Sequence, residues 1–378
     1  MGAQDLLDSF YSIDNLVSID IAIDPAKWND SVLKASPRGV GAPNSDPPQT
    51  NYDWVETTSV TISGTKFPKK STFTQVAIIK KSFYGSLSFT KPSIKLDFTR
   101  FNKANEDEIK NLIGTDRLVF NNCKQDPAYV RQPLGYEILR QADLPSFRCN
   151  FATAFKKKFV KNQFKSDNGN AYEITFLDDF DPDRLAEGYL TFEGFSEHKD
   201  RKDLLRAARE IKDQGLSGAK KVIAWDQYIR FFAMEALLQH WDGYNQSMNN
   251  AFLYNDQKAK ADPDIEKNDI NFSFIPNGLD QILQNDHEIL FSGWKSVLAK
   301  LTIADKEANA ELNDQIRKLA EKIFSAENPA ESIYPFLDKE TEVLRSANAS
   351  FKQDDVDAIK KRLSNIQSWA YAKVGAPE

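Results

Sequence analysis

The sequence predicts an α+β protein in which strands and helices are segregated along the chain. Three observations predict it. The first half carries short runs with the alternating period of strands. The second half carries long stretches with helical periodicity. Hydrophobic residues make up 41% of the chain and Phe alone contributes 26, enough for a sizeable core and unlike a disordered chain. At 378 residues the chain is long enough for two or three folding units of ~150 residues.

In the first half, VSIDIAI (17–23) alternates apolar and polar positions as a half-buried strand does. A long loop follows in SPRGVGAPNSDPPQTN (36–51), rich in Gly, Pro and Asn. TTSVTIS (57–63), STFTQVAII (71–79) and PSIKLDF (92–98) are β-branched and aromatic runs between turn residues, so a meandering antiparallel sheet is expected. A helix over about 127–142 follows. Asp126 is placed to cap it, Pro127 suits its first turn, and Asp143-Leu144-Pro145 breaks it. NFATAFKKKFV (150–160) reads as a further strand, and KSDNGN (165–170) as the turn into the second half.

The second half begins with an amphipathic helix over 200–215. WDQYIRFFAMEALLQHW (225–241) is a strongly apolar helix and the expected core of this half. AFLYND (251–256) and FSFIP (272–276) read as two short strands, and residues 292–375 as three or four amphipathic helices. The expected units are therefore 1–168 and 169–378.

Bulk properties exclude several classes. The net charge is −6 with both signs interleaved, which is not the basic stripe of a nucleic-acid binder. No run approaches the ~18 apolar residues of a membrane span. The opening MGAQDLLDSF has neither the basic nor the apolar region of a secretory leader. Cys123 and Cys149, with His198, His240 and His287, show no zinc-site spacing, and neither cysteine sits in a nucleophile motif. A disulfide between the two and a pair of separate thiols both remain open. Sequons occur at Asn29, Asn245, Asn271 and Asn348.

The local wording is more specific than the pattern. Residues 118–152 read LVFNNCKQDPAYVRQPLGYEILRQADLPSFRCNFA; 240–254 read HWDGYNQSMNNAFLY; 272–283 read FSFIPNGLDQIL. With FYGSLSFTKPSIKLDF (83–98) and GNAYEITFLDDFDP (169–182), these stretches together resemble the CotH kinase-like family, from about residue 57 to about 283. The resemblance implies a bilobal, protein-kinase-like fold, with a strand-rich N-lobe and a mostly helical C-lobe. It implies an ATP- and Mg2+- or Mn2+-dependent phosphotransferase, secreted or at the cell or spore surface, acting on Ser or Thr hydroxyls of a protein. Phosphoryl transfer needs a lysine on the phosphates, carboxylate or amide metal ligands, and a carboxylate near the acceptor.

By resemblance, Asp242 is the catalytic aspartate. Asn250, with Asn249 as the adjacent alternative, and Asp280 are the metal ligands. Lys95, Lys81 and Gly85 serve the nucleotide, and Glu137 steadies the lysine. Lys95 lies in the alternating strand PSIKLDF, where an inward-facing lysine needs a partner such as phosphate. Lys91 and Lys80 are further candidates. Arg131 is a phosphate contact or a helix cap, and His240 a hydrogen-bonded core histidine. Three positions depart from the family pattern. Ser82 follows Lys81 where glycine is common, 155–164 lacks a glutamate, and Gly278 stands where many members carry aspartate. A catalytically inactive scaffold that keeps the fold is the competing reading.

Overall fold

The computed structural model describes residues 9–35, 53–65, 67–81, 84–149, 164, 169–174, 177–187, 191–192, 201–256, 270–284, 292–325, 333–347 and 349–376. They fall into two compact units. The first comprises Met1–Pro133, Phe147–Lys156 and Asp338–Lys352; the second Leu134–Ser146, Lys157–Leu337 and Gln353–Glu378. The expected boundary at 168, the loop over 36–51 and the strand over 150–160 lie outside the described residues.

The first unit carries two antiparallel sheets. One has the order β1 (Val17–Ala22), β3 (Ser59–Gly64), β4 (Phe67–Thr74); the other β2 (Val55–Glu56), β5 (Ala77–Lys80), β6 (Ile94–Asp97), β7 (Arg117–Phe120). Val60 and Ile62 alternate into the core with Phe73, Ile78, Leu96, Phe98 and Leu118. Each such side chain contributes ~1.5–3 kcal/mol by leaving water. The expected strand over 71–79 is two strands in two different sheets. Gln75, with φ 54°, turns the chain between β4 and β5. Helix α1 (Glu106–Ile113) has three acids in its first turn and ends on Gly114, whose φ is 69°. Acids offset the positive end of the helix dipole, and glycine adopts the left-handed cap without strain.

Helix α2 (Arg131–Gln141) starts later than the expected 127. Tyr129, with φ 64°, prevents an earlier start. Asp126 still caps it. Its carboxylate accepts the Arg131 backbone N–H at 2.8 Å and pairs with the Arg131 guanidinium at 2.6 Å. Both side chains are buried, and burial raises the Asp126 pKa while Arg131 opposes the shift.

The second unit holds one sheet in the order β11 (Phe272–Pro276), β10 (Ala251–Asn255), β8 (Ala171–Ile174), β9 (Thr191–Phe192). β10 and β11 are buried at every position, which explains their continuous apolar runs. The helices along the rest of the chain are α3 (Pro182–Ala186), α4 (Lys202–Val222), α5 (Trp225–Leu237), α6 (Tyr244–Ser247), α7 (Val297–Ala304), α8 (Lys306–Phe324), α9 (Tyr334–Ser346) and α10 (Gln353–Val374). α9 passes from the second unit into the first at Asp338. α5 packs on α8 and β11, with Phe231 stacked on Phe274 at 5.0 Å between ring centroids. Helices and antiparallel sheets are thus segregated, and the fold class is α+β.

Candidate functional site

The site grows from the end of α5. The apolar run predicts helix to Trp241, but α5 stops at Leu237 because Gln239 takes φ 55°. The His240 N–H returns to the Glu235 carbonyl at 2.9 Å, and the Gln239 N–H to that of Ala236 at 3.1 Å. This is a Schellman cap with glutamine in the position usually held by glycine. It ejects Trp241, Asp242 and Gly243 into a tight loop. The single turn α6 follows, then Met248 (φ 50°) and Asn250 (φ 49°) steer the chain into β10.

Glu235 fixes this loop from below. Its buried carboxylate accepts the Tyr244 N–H at 2.8 Å, the Asn245 N–H at 2.9 Å and the Asn245 side-chain amide at 2.7 Å. Burial pushes its pKa up to about 7, against the opposing hydrogen bonds of Asn245 and Tyr244. Asn245 also accepts from the Tyr228 hydroxyl at 2.8 Å. Its amide is fully buried, so the Asn245 sequon carries no glycan in this fold. The Tyr244 hydroxyl donates to Asp179 at 2.7 Å, and Asp179 also accepts the Val297 N–H at 2.7 Å. Gly243 is required by close approach, since a Cβ there would collide with Glu235 and His240.

His240 belongs to the scaffold, as expected. It is 1% exposed, with Nδ1 3.6 Å from Glu235. Burial lowers its pKa to about 4, so it is neutral near pH 7.

Asp242 is half-buried and ringed by amides. Asn249 Nδ2 donates to its Oδ1 at 3.1 Å, and Asn250 Nδ2 to its Oδ2 at 2.7 Å and to its backbone carbonyl at 2.9 Å. Gln281 Nε2 reaches Oδ2 at 3.4 Å. Burial raises the Asp242 pKa above the usual carboxylate value, with Asn249 and Asn250 opposing. Asn249 and Asn250 therefore both touch Asp242, with the single turn α6 taking up the residues between.

The β10–β11 pairing carries the second half of the site. Ala251 lies opposite Pro276, so Asn250 meets the residues just after β11. The Asn277 N–H donates to the Asn250 carbonyl at 3.0 Å, and the Tyr136 hydroxyl holds the Asn277 side chain at 3.2 Å. Gly278 takes φ 61°, and a Cβ there would run into Asn250 Oδ1. This gives the physical reason for glycine at position 278. Asp280 and Gln281 follow in one 3-10 turn, Leu279–Gln281, with Asp280 half-buried. Leu279 and Ile282 are buried against Gly135 of α2. Among the described residues no three His, Cys, Asp or Glu side chains gather as a metal cluster.

Of the expected residues, Lys80, Lys81, Gly85, Lys91, Lys95 and Arg131 belong to the first unit. Lys95 faces outward and is exposed, between Ile79 and Val119 on the neighbouring strands. The inward placement expected from its strand is corrected: alternation tells that Lys95 and Leu96 point opposite ways, and Leu96 takes the core. Among the described residues the buried lysine is Lys80, whose Nζ donates to the Leu33 carbonyl at 2.7 Å and lies 4.3 Å from the Phe89 ring centroid. Burial lowers its pKa. Lys81 donates to Asn121 at 3.0 Å. Gly85 lies in the turn Tyr84–Ser86 against Gln125. In the second unit, Glu137 pairs with Arg140 and accepts from Gln141 at 3.2 Å. No disulfide joins Cys123 to Cys149.

Glu235, Gln281 and Asp179 escaped the sequence reading. Glu235 left one signal, a carboxylate in the middle of the apolar run AMEALL.

No curated protein sequence matches the chain. No described helix is long and apolar enough to cross a membrane. The sequence model of the CotH kinase protein family matches residues 82–371, which include the Asp242 loop, the turn after β11, Lys91 and Lys95, and begin just after Lys80 and Lys81. The chain therefore belongs to the CotH kinase family.

Proposed function

We propose that the chain is an ATP-dependent phosphotransferase using Mg2+ or Mn2+, acting on Ser or Thr hydroxyls of a secreted or coat-type protein at the cell or spore surface. The observation that carries this reading is the convergence of Asp242, Asn249, Asn250 and Gln281 where β10 and β11 meet, with Asp280 on the same turn as Gln281. Membership of a family named for a kinase supports the reaction class. In this reading the chain has a protein-kinase-like fold, with an N-lobe over 1–168 and a C-lobe over 169–378.

The donor set fits a hard divalent cation. It is all oxygen, carboxylate and amide, which suits a metal that keeps water and phosphate oxygens in its shell. Asn250 directs its N–H groups at Asp242, which leaves Oδ1 for a cation. Asp280 is the second ligand. The bound cation would neutralise charge on the nucleotide phosphates.

Asp242 orients the acceptor hydroxyl and takes its proton. Its raised pKa brings it nearer the working pH, where a general base is most effective. The amides of Asn249, Asn250 and Gln281 hold the carboxylate in one orientation. Lys95 and Lys81 serve the phosphates with the Gly85 turn, and Glu137 steadies the lysine.

Incubation with γ-labelled ATP and Mg2+ or Mn2+, beside an Asp280→Ala variant, tests the proposal. Transfer by the wild type and not by the variant is expected. A second reading, an inactive scaffold, draws on Gly278, which offers no side-chain ligand beside Asn250. Absence of both transfer and nucleotide binding would establish it.

A further inference from the structure

A cavity of about 350 Å3 opens within the first unit, between the segment after Gly85 and the turn that precedes α2. That is the low end of the ~300–1,000 Å3 range of ligand pockets. Three of its lining residues, Lys91, Lys124 and Lys352, are lysines and none is acidic. Ser88, Tyr129 and Ser350 add hydroxyl groups.

The charge is unusual for this molecule. Its net charge is −6, and eight other lysines among the described residues pair with carboxylates, Lys110 with Glu106 and Lys339 with Asp14 among them. Among the described residues the three lysines of this cavity have only uncharged partners. Lys91 Nζ donates to the Tyr129 hydroxyl at 3.2 Å and lies 4.6 Å from that ring's centroid. Lys124 Nζ donates to the Leu87 carbonyl at 2.6 Å. The Lys352 backbone N–H binds the Pro127 carbonyl at 2.9 Å. Grouping like charges is unfavourable unless an anion enters among them.

The walls are braced. Buried Asn122 donates from one amide to the Ser86 carbonyl at 2.8 Å and the Lys91 carbonyl at 2.9 Å. Its oxygen accepts the Lys124 N–H at 3.1 Å. The backbone carrying Lys91 and the backbone carrying Lys124 are thus held by one side chain. Tyr129 holds a left-handed backbone at φ 64°, uncommon for an aromatic residue.

We infer that this cavity is a phosphoryl-oxyanion site, with Lys91, Lys124 and Lys352 supplying charge and Ser88, Tyr129 and Ser350 supplying hydroxyl donors. It involves neither Asp242 nor Asp280; Lys91 is also a nucleotide candidate from the sequence, so the nucleotide form of the site rests on the transferase reading, while binding of free phosphate does not. The oxyanion comes either from free phosphate or from the phosphates of a nucleotide.

Calorimetric titration of the full chain with inorganic phosphate, and separately with ATP in the presence of a chelator, separates the two sources. Binding of either ligand is expected to weaken at least tenfold in a Lys124→Ser/Lys352→Ser variant, and also in Lys91→Ser. Lys103→Ser, an exposed lysine elsewhere in the unit, should bind as the wild type does. Phosphate binding that follows this pattern identifies free phosphate as a sufficient ligand. The pattern with ATP alone identifies the nucleotide. Failure of both ligands to bind, or equal binding by all variants, overturns the site. Asp280→Ala should retain binding whether or not it abolishes transfer, so the two proposals fail separately.

Discussion

Asn250 Oδ1 occupies the space that a Cβ on Gly278 would need. Gly278 also takes φ 61°, a conformation costing other residues ~1–2 kcal/mol. Gly278→Ala therefore combines backbone strain with displacement of Asn250. It should lower stability by about 1–3 kcal/mol in urea unfolding. Metal-dependent transfer should fall about tenfold, because Asn250 moves off Asp242. Gly278→Asp should not improve transfer, although it places an acid beside Asn250. A more active Gly278→Asp variant would mean that the turn yields and Asn250 is not held there.

Asp242 gives a pH prediction. Its folded pKa is raised by burial, so on acidification it protonates above the ordinary carboxylate value of ~4. The protonated form cannot take a proton from an acceptor. The acid limb of kcat/KM should therefore fall above pH ~4 as pH decreases. Asp242→Asn should cost ~10²–10⁴ in rate, the usual contribution of a positioned base. A profile flat down to pH 4 would remove Asp242 from the chemistry.

Much of this architecture is legible in the sequence, and the failures share a cause. The alternation of VSIDIAI yields β1, and the apolar run from Trp225 yields α5. The missed boundaries lie where non-glycine residues adopt positive φ: Gln75 between β4 and β5, Tyr129 before α2, Gln239 after α5. No glycine marks these bends, because tertiary contacts hold them. α1 is too short for a strong helical period, although three acids and Gly114 frame it. Period-two alternation placed Lys95 opposite Leu96 but could not say which side is the core. Local wording singles out Asp242 and Asn250, whose side chains meet in the structure, while Glu235 is hidden because its partners lie nine and ten residues ahead, across a helix end.

The two lysines of the second sheet should separate cleanly. Lys95 is exposed, so Lys95→Ala should leave stability within about 0.5 kcal/mol. If it serves the nucleotide, KM for ATP should rise about tenfold, the effect of losing roughly 1.4 kcal/mol of binding. Lys80 is buried, with its stem packed in the core and its head on the Leu33 carbonyl. Lys80→Ala should cost about 2 kcal/mol through the lost packing and leave KM for ATP near the wild-type value. The reverse pattern in thermal unfolding and nucleotide titration would make Lys80 the nucleotide lysine.

Glu235 links the loop to pH through stability. Its folded pKa of about 7 lies above the unfolded value of 4.5. The folded state therefore binds this proton more tightly than the unfolded state does. The corresponding stability is fully present below pH ~4.5 and is lost as pH rises through about 7. The shift is equivalent to ~3 kcal/mol, taken as an order of magnitude. Glu235→Gln removes the titration. It also sets an amide N–H group against the Asn245 donors, so it should be less stable than the wild type at pH 5. Because only the wild type then carries the cost of ionising, the gap between the two in urea unfolding should narrow from pH 5 to pH 8. A gap that stays constant across that range would place the Glu235 pKa outside it. Transfer by Glu235→Gln should fall at both pH values, since Tyr244 and Asn245 no longer anchor the loop that presents Asp242.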